Sequence, residues 1–369
     1  METNTQRLQS LDALRGFDMF WIIGWGKIWG GLALLTGWPA LNWWASQMEH
    51  PEWSGFTFYD IIFPLFLFIA GISFPFSFEK NRFRGVSPKQ LYFSIFKRML
   101  VLVFLGLIYN GLLKFDFSTM RYASVLGRIG LAWMFAALIF INTKLRGRII
   151  WCIGLLIFYW LLLALFPAPD FPDAPRFSIE GNIACYIDRM FLPGRMSNEL
   201  YDALGLLGVI PAISNALLGM FAGELVMSRK EGFSDMKKTV CLLLAGVVLI
   251  ILALLWDNVF PIHKKLWTSS FVFLTVGIGL LLFGLFYLLI DVLKYRRWSF
   301  FFTVIGMNSI TVYMAQSIIN FNSISRFIFG GLIGLFPEPW KVFLDASAYI
   351  AVCWFFLYFL YRKKIFLKV

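Results

Sequence analysis

Long, uniformly apolar runs dominate the chain, separated by short polar segments. Ten can be delimited: residues 11–35, 57–78, 92–113, 122–142, 149–166, 204–227, 239–256, 267–290, 299–320 and 343–361. An α-helix rises about 1.5 Å per residue, so about 20 apolar residues cross a hydrocarbon core of roughly 30 Å. Each run therefore predicts a transmembrane helix. A further run, Phe327 to Phe336, is apolar but Gly-rich and too short to cross, which predicts an interfacial or re-entrant segment. No soluble domain, low-complexity tract or internal repeat interrupts the pattern. The expected fold class is all-α, with residues 1–369 forming one polytopic membrane domain of about ten spans.

Composition agrees with the pattern. Hydrophobic residues make up 59% of the chain and charged residues only 15%, against about 25% charged in soluble domains. The 42 Phe and 15 Trp suit helix interfaces and headgroup belts. The net charge of +12 would suggest nucleic-acid binding in a soluble protein. Here its distribution gives another account. With the N-terminus placed inside, twenty-one of the 33 Lys and Arg residues fall in inner segments and nine in outer ones. That bias predicts N-in and C-in orientation with an even number of spans, and no nucleic-acid partner. The N-terminal run carries Asp12, Arg15 and Asp18 and does not read as a cleavable signal. Four scattered cysteines offer neither a disulfide framework nor metal-ligand spacing.

The candidate chemistry sits on the outer side. The loop 36–56 holds His50, one of two histidines, with Glu49, Glu52 and several Trp but no Lys or Arg. Asp60 follows ten residues later, just inside the next run. An unpaired carboxylate there costs a few kcal/mol. A His50–Asp60 hydrogen bond would partner the acid and fix the imidazole tautomer. Asp60 could instead pair with Arg128 of the fourth run. The longest loop, 167–203, opens with Pro167, Pro169, Pro172 and Pro175 and carries the segment Tyr186-Ile187-Asp188-Arg189, a length more often functional than idle. Asp12, Arg15 and Asp18 are spaced to meet on one helix face, either as a self-neutralising set or with Arg15 facing an anionic ligand. Asn308, Ser309, Thr311 and Tyr313 in the ninth run read as interhelical glue or as site residues. His263-Lys264-Lys265-Leu266-Trp267 opens the eighth run, and its paired cations suit an anionic or glycan ligand, or lipid headgroups.

Together these segments resemble the transmembrane acyltransferases typified by heparan-α-glucosaminide N-acetyltransferase and its bacterial relatives. The resemblance rests on Arg7-Leu8-x-Ser10-x-Asp12-x-x-Arg15-Gly16, His50-x-x-Trp53-x-Gly55-x-x-x-x-Asp60-x-x-Phe63-Pro64-x-Phe66-x-Phe68-x-x-Gly71, Val125-Leu126-x-Arg128, Tyr186-Ile187-Asp188-Arg189, Pro261-x-x-Lys264-x-Leu266-Trp267, Gly306-Met307-Asn308-Ser309 and Tyr361-Arg362-Lys363-Lys364-Ile365-Phe366. It implies transfer of an acetyl group from cytoplasmic acetyl-CoA to an amino sugar or glycan on the far side of a membrane, here a bacterial inner membrane. No metal is implied. A homodimer is suggested, because the family enzyme is dimeric. His50 matches the family's active-site histidine, as general base or as acetyl carrier, with Asp60 orienting it. Arg15, Arg128, Asn308, Ser309 and Tyr313 are then candidates for holding acetyl-CoA. Trp53, His263, Lys264, Trp267 and Asp188 are candidates on the acceptor side.

Departures from the family pattern cluster on that side. Gly26 stands where the heparan enzyme has Asn, Gly127 where it has Gln, His263 where it has Asn and Gln316 where it has His. Its Asp-Pro-Glu-Gly reads Asp202-Ala203-Leu204-Gly205 here. The fold and acyl transfer are compatible with these changes; the acceptor is expected to differ. A transporter or flippase of a glycan or lipid-linked sugar would also use intramembrane charges, and a non-catalytic envelope-assembly protein would not need His50.

Overall fold

The computed structural model describes residues 8–367; Arg7 and Lys368, which enter the charge bias, lie outside the described residues. Fifteen α-helices follow in order: α1 (Gln9–Phe20), α2 (Gly26–Thr36), α3 (Pro39–Ser46), α4 (Ile62–Phe83), α5 (Pro88–Tyr109), α6 (Val125–Asn142), α7 (Leu145–Leu165), α8 (Ile183–Phe191), α9 (Val209–Met227), α10 (Asp235–Asp257), α11 (Ser269–Phe286), α12 (Phe300–Met307), α13 (Ser309–Ile318), α14 (Phe321–Ile333) and α15 (Glu338–Arg362). Among the described residues there is no strand, only three isolated bridges.

Among the described residues, nine helical stretches are long and apolar enough to cross a membrane. The predicted run 299–320 is also helical, but it breaks at Asn308 (φ −127°, ψ 30°) into α12 and α13, each too short to cross unaided. The first span is likewise irregular. A π-helical turn, Trp21–Trp25, joins α1 to α2, with Gly24 at φ 135°, a conformation that glycine adopts without a Cβ clash. The run after residue 320 folds as the 13-residue α14, whose Phe327 and Leu332 are exposed, as is Leu335 just beyond it. That agrees with a segment that does not span.

Helix α4 is the axis of the bundle. It is buried on nearly every face, with Leu67, Phe68, Ile69 and Ile72 fully enclosed. It packs closely on α9, where Gly71 and Gly219 bring two backbones together; a Cβ on either would overlap the carbonyl of Ala216 or Phe68. Close approach through small residues is the usual way to pack helices in lipid, where burial of apolar surface supplies little association energy. Gly16 on α1 and Gly306 on α12 repeat the device, each facing the other helix's backbone. By contrast α5, α7 and α10 expose Phe93, Ile150, Leu244 and Leu255, as lipid-facing helices should.

Candidate active site

The segment from His50 to Asp60 is held by its own backbone. Thr57 is the N-cap of a short 3₁₀ turn, Phe58–Ile61, that opens the α4 span. Asp60 Oδ2 accepts from the Thr57 N–H at 3.0 Å and from Thr57 Oγ1 at 3.3 Å. Asp60 Oδ1 is thereby left facing His50, with Nδ1 at 2.7 Å. Asp60 has no exposed side-chain surface, whereas 44% of the His50 side chain is accessible. The acid is sunk in the bundle and the imidazole is presented to whatever enters.

Lys264 joins this pair from the loop before α11. Its Nζ lies 3.2 Å from Asp60 Oδ1, and 3.2 and 3.1 Å from Nδ1 and Nε2 of His50. A point so nearly equidistant from both ring nitrogens cannot lie in the ring plane without colliding with ring atoms. The ammonium therefore sits over the imidazole face. With Nδ1 committed to Asp60, the in-plane lone pair of Nε2 remains open. Burial pulls the Lys264 pKa below its usual value, against the opposing pull of Asp60.

Three loops converge around the trio. Gly55 forms a backbone bridge with His263, and Lys265 Nζ donates to the Glu52 carbonyl. Trp53 Nε1 donates to the Phe177 carbonyl at 2.9 Å, tying in the long loop 167–203. That loop is stapled by Arg189, which pairs with Asp170 at 2.8 Å and caps carbonyls of Leu200 and Glu180. Arg121 is fixed by Asp202 at 2.5 and 2.8 Å.

Beneath them lies a cavity of about 410 Å³. His50, Tyr59, Asp60 and Lys264 stand at its mouth with Trp53 and Arg121, and Met19, Ile22, Phe66, Ile129 and Ile310 wall its deeper part. Tyr109 and Tyr313 also line it, stacked at 4.5 Å with an interplanar angle of 14°. The irregular joint after α1 lies at this level, since Ile22 belongs to it; π-turns within helices are frequent at functional sites.

Of the residues singled out from the sequence, His50, Asp60, Trp53, Lys264, Trp267 and Tyr313 line the cavity. The others lie elsewhere. Arg128 is buried, donates to the Gly205 carbonyl at 2.8 Å and stacks 5.1 Å from the Trp267 ring; Asp60 is partnered by His50 and Lys264 instead. Asn308 and Ser309 are buried at the break between α12 and α13, where Asn308 Oδ1 accepts from Thr311. Asp188 is buried behind the wall, accepting from the Leu206 N–H at 2.8 Å; burial lifts its pKa to about 6. His263 packs at 4.5 Å against Trp53, with its pKa pushed down to about 4 by burial and by Lys265. Arg15 bonds Asp12 at 3.4 Å and Ser73 at 3.1 Å, deeper along the bundle. Tyr59, Tyr109 and Arg121 line the cavity without having been singled out. Their available signal was position alone, at the outer ends of spans. Among the described residues no three His, Cys, Asp or Glu side chains converge as a metal site.

Fold and cluster together define a polytopic helical membrane protein with an imidazole–carboxylate–ammonium group at the mouth of an intramembrane cavity. Comparison with known proteins makes the likeness specific. The chain resembles heparan-α-glucosaminide N-acetyltransferase: it is 26% identical to the Homo sapiens protein over 428 aligned positions, which cover 98% of this chain and 60% of that protein. The Mus musculus protein of the same name is 25% identical, over 100% of this chain and 61% of its own length. The chain thus spans about three fifths of these relatives. A family model described as a domain of unknown function, DUF5009, matches residues 7–121, the part that carries His50 and Asp60.

Proposed function

We propose that the protein is a membrane acetyltransferase. It takes an acetyl group from acetyl-CoA presented at the inner face and delivers it to a sugar amine or hydroxyl of a glycan at the His50 face, with N-in and C-in orientation in a bacterial inner membrane. The observation that carries this reading is the 2.7 Å contact between His50 and the buried Asp60 at the mouth of a cavity that runs into the bundle. The names of the two relatives support the reaction class.

The cavity fits the donor's arm and not its nucleotide. Its deeper wall is apolar, with Met19, Ile22, Phe66, Ile129 and Ile310, which suits a thin uncharged chain. A polyanionic nucleotide without cationic partners does not belong against such a wall. Bound acetyl-CoA would supply an activated thioester. Asp60 holds the Nδ1 proton of His50 and so keeps Nε2 as the reactive nitrogen. From there His50 either deprotonates the acceptor or carries the acetyl group itself. Lys264, over the ring and beside Asp60, is placed to stabilise negative charge that develops on the carbonyl oxygen. Trp53, at the mouth, offers a flat apolar face to a sugar ring.

The test gives the purified full chain labelled acetyl-CoA and a panel of glucosamine-type acceptors. Transfer by the wild type and its loss in His50→Ala are expected. Equal transfer by the two proteins would overturn the assignment, and substrate uptake into vesicles without acetyl-CoA would replace it with transport.

A further inference from the structure

The cavity stops partway through the bundle, and four of the helices around it continue its lining toward the opposite face. On α6, Trp133 lies seven residues beyond the cavity residue Leu126; on α4, Ser73 lies seven beyond Phe66. In the first span, Arg15 lies seven before Ile22. On α5, Arg98 lies eleven before Tyr109. Spacings of seven and eleven return to the same helix face. Because α4 and α6 run opposite to α1 and α5, all four displacements point the same way. The continued lining therefore converges on one cluster below the cavity.

The contacts confirm the convergence. Arg15 donates to Ser73 at 3.1 Å, joining α1 to α4. The Arg98 guanidinium lies 4.1 Å from the Trp133 ring, joining α5 to α6. Arg15 and Arg98 stand within electrostatic reach of each other. The Nε of Arg98 is buried and has no hydrogen-bond partner. Two guanidiniums are thus gathered below an apolar cavity, with Asp12 bonded to Arg15 at 3.4 Å, and one of them has a buried donor that lacks an acceptor. Anions answer such an arrangement, and guanidinium is the side chain best shaped to bind phosphate.

We propose that Arg98, with Arg15, is an anion clamp for the diphosphate of the thioester donor, at the inner end of the cavity. This rests on the acetyl-transfer reading above. The distance is suitable. Eleven residues of α5 separate Arg98 from Tyr109, about 16 Å along the axis, a gap that an extended pantetheine arm bridges. Phosphates held at Arg98 would leave the acyl end beside His50.

The test measures CoA and pantetheine binding to the full chain in detergent by titration calorimetry. Pantetheine keeps the arm and lacks the phosphates. Arg98→Met retains an apolar stem on Trp133 and should weaken CoA binding about ten-fold or more while leaving pantetheine affinity unchanged. Arg98→Lys should keep most of the CoA affinity. Wild-type affinity for CoA in Arg98→Met would overturn the clamp alone. Equal loss of CoA and pantetheine binding in both variants would make Arg98 structural and also overturn it. A wild type that binds neither molecule would overturn the acetyl-transfer reading, and the clamp with it.

Discussion

Asp60 has no exposed side-chain surface and yet engages His50, Lys264 and both donors of Thr57. In a membrane span such a carboxylate is retained only if its partners offset its desolvation, and here they also set its role. Removing the His50 imidazole should lower the acetyl-transfer rate about 10²–10⁴-fold, the usual worth of a general base. Asp60→Asn keeps an oxygen for the Thr57 cap but can donate to Nδ1 and reverse the tautomer. Its kcat should fall roughly 10²-fold with the helix content unchanged by circular dichroism; an unaltered pH–rate profile would argue against the pairing. The ten-residue spacing of His50 and Asp60 was legible because a carboxylate at the start of an apolar run is conspicuous. Arg121 and Tyr109 were not legible, since a basic or aromatic residue at a span end is equally expected of a topology signal or a headgroup belt. Arg128 was conspicuous for the same reason as Asp60, but its Nη2 donates to the Gly205 carbonyl and its guanidinium lies by the Trp267 ring, while Nε and Nη1 are buried without a partner.

Two buried groups outside the spans give opposite pH dependences. Asp188 has its folded pKa raised to about 6, so its ionisation disfavours the fold, and the protein loses stability as pH rises from about 4 through 6. His263 has its folded pKa lowered to about 4. Its stabilising contribution is present above about 6.5 and lost as pH falls toward 4. Each shift corresponds to about 3 kcal/mol. Melting temperatures of Asp188→Asn and His263→Asn, measured relative to wild type between pH 4 and 7, should therefore change in opposite directions. Asp188→Asn gains relative to wild type as pH rises, and His263→Asn gains as pH falls. Parallel changes would refute this electrostatic account.

At the scale of elements, close backbone approach decides which helices can wall the site. Gly16 and Gly306 allow α1 and α12 to touch, and Asn308 breaks the helix just beyond that contact. The break gives α13 its own start and places Ile310 and Tyr313 on the cavity. Gly306→Leu would drive a side chain into the Asp12 carbonyl. We expect a loss of about 2 kcal/mol or more, on the scale of core overpacking, read as a lower melting temperature. An outward-facing control, Phe93→Leu, should have little effect because Phe93 is exposed on the lipid-facing side. The apolar period of run 299–320 forecast a helix there, but nothing in that period marks the break at Asn308. Gly24, whose φ of 135° kinks the first span, is by contrast a residue type that permits such a turn, although the apolar pattern around it reads as continuous helix.

At the scale of the whole molecule, hydropathy alone was nearly sufficient for the architecture, because a bilayer forces every spanning backbone to satisfy itself as a helix. The position of the cavity was not, since it depends on which spans become neighbours. The central claim is that acetyl passes from a donor at the Arg98 end to an acceptor at the His50 end. Vesicles reconstituted with the protein in one orientation, acetyl-CoA confined to the Arg98 side and an amino-sugar acceptor to the His50 side, test this directly. The account predicts acetylated sugar on the His50 side, formed by wild type and lost in His50→Ala. Product formed equally by both proteins, or only when donor and acceptor share one face, would contradict it.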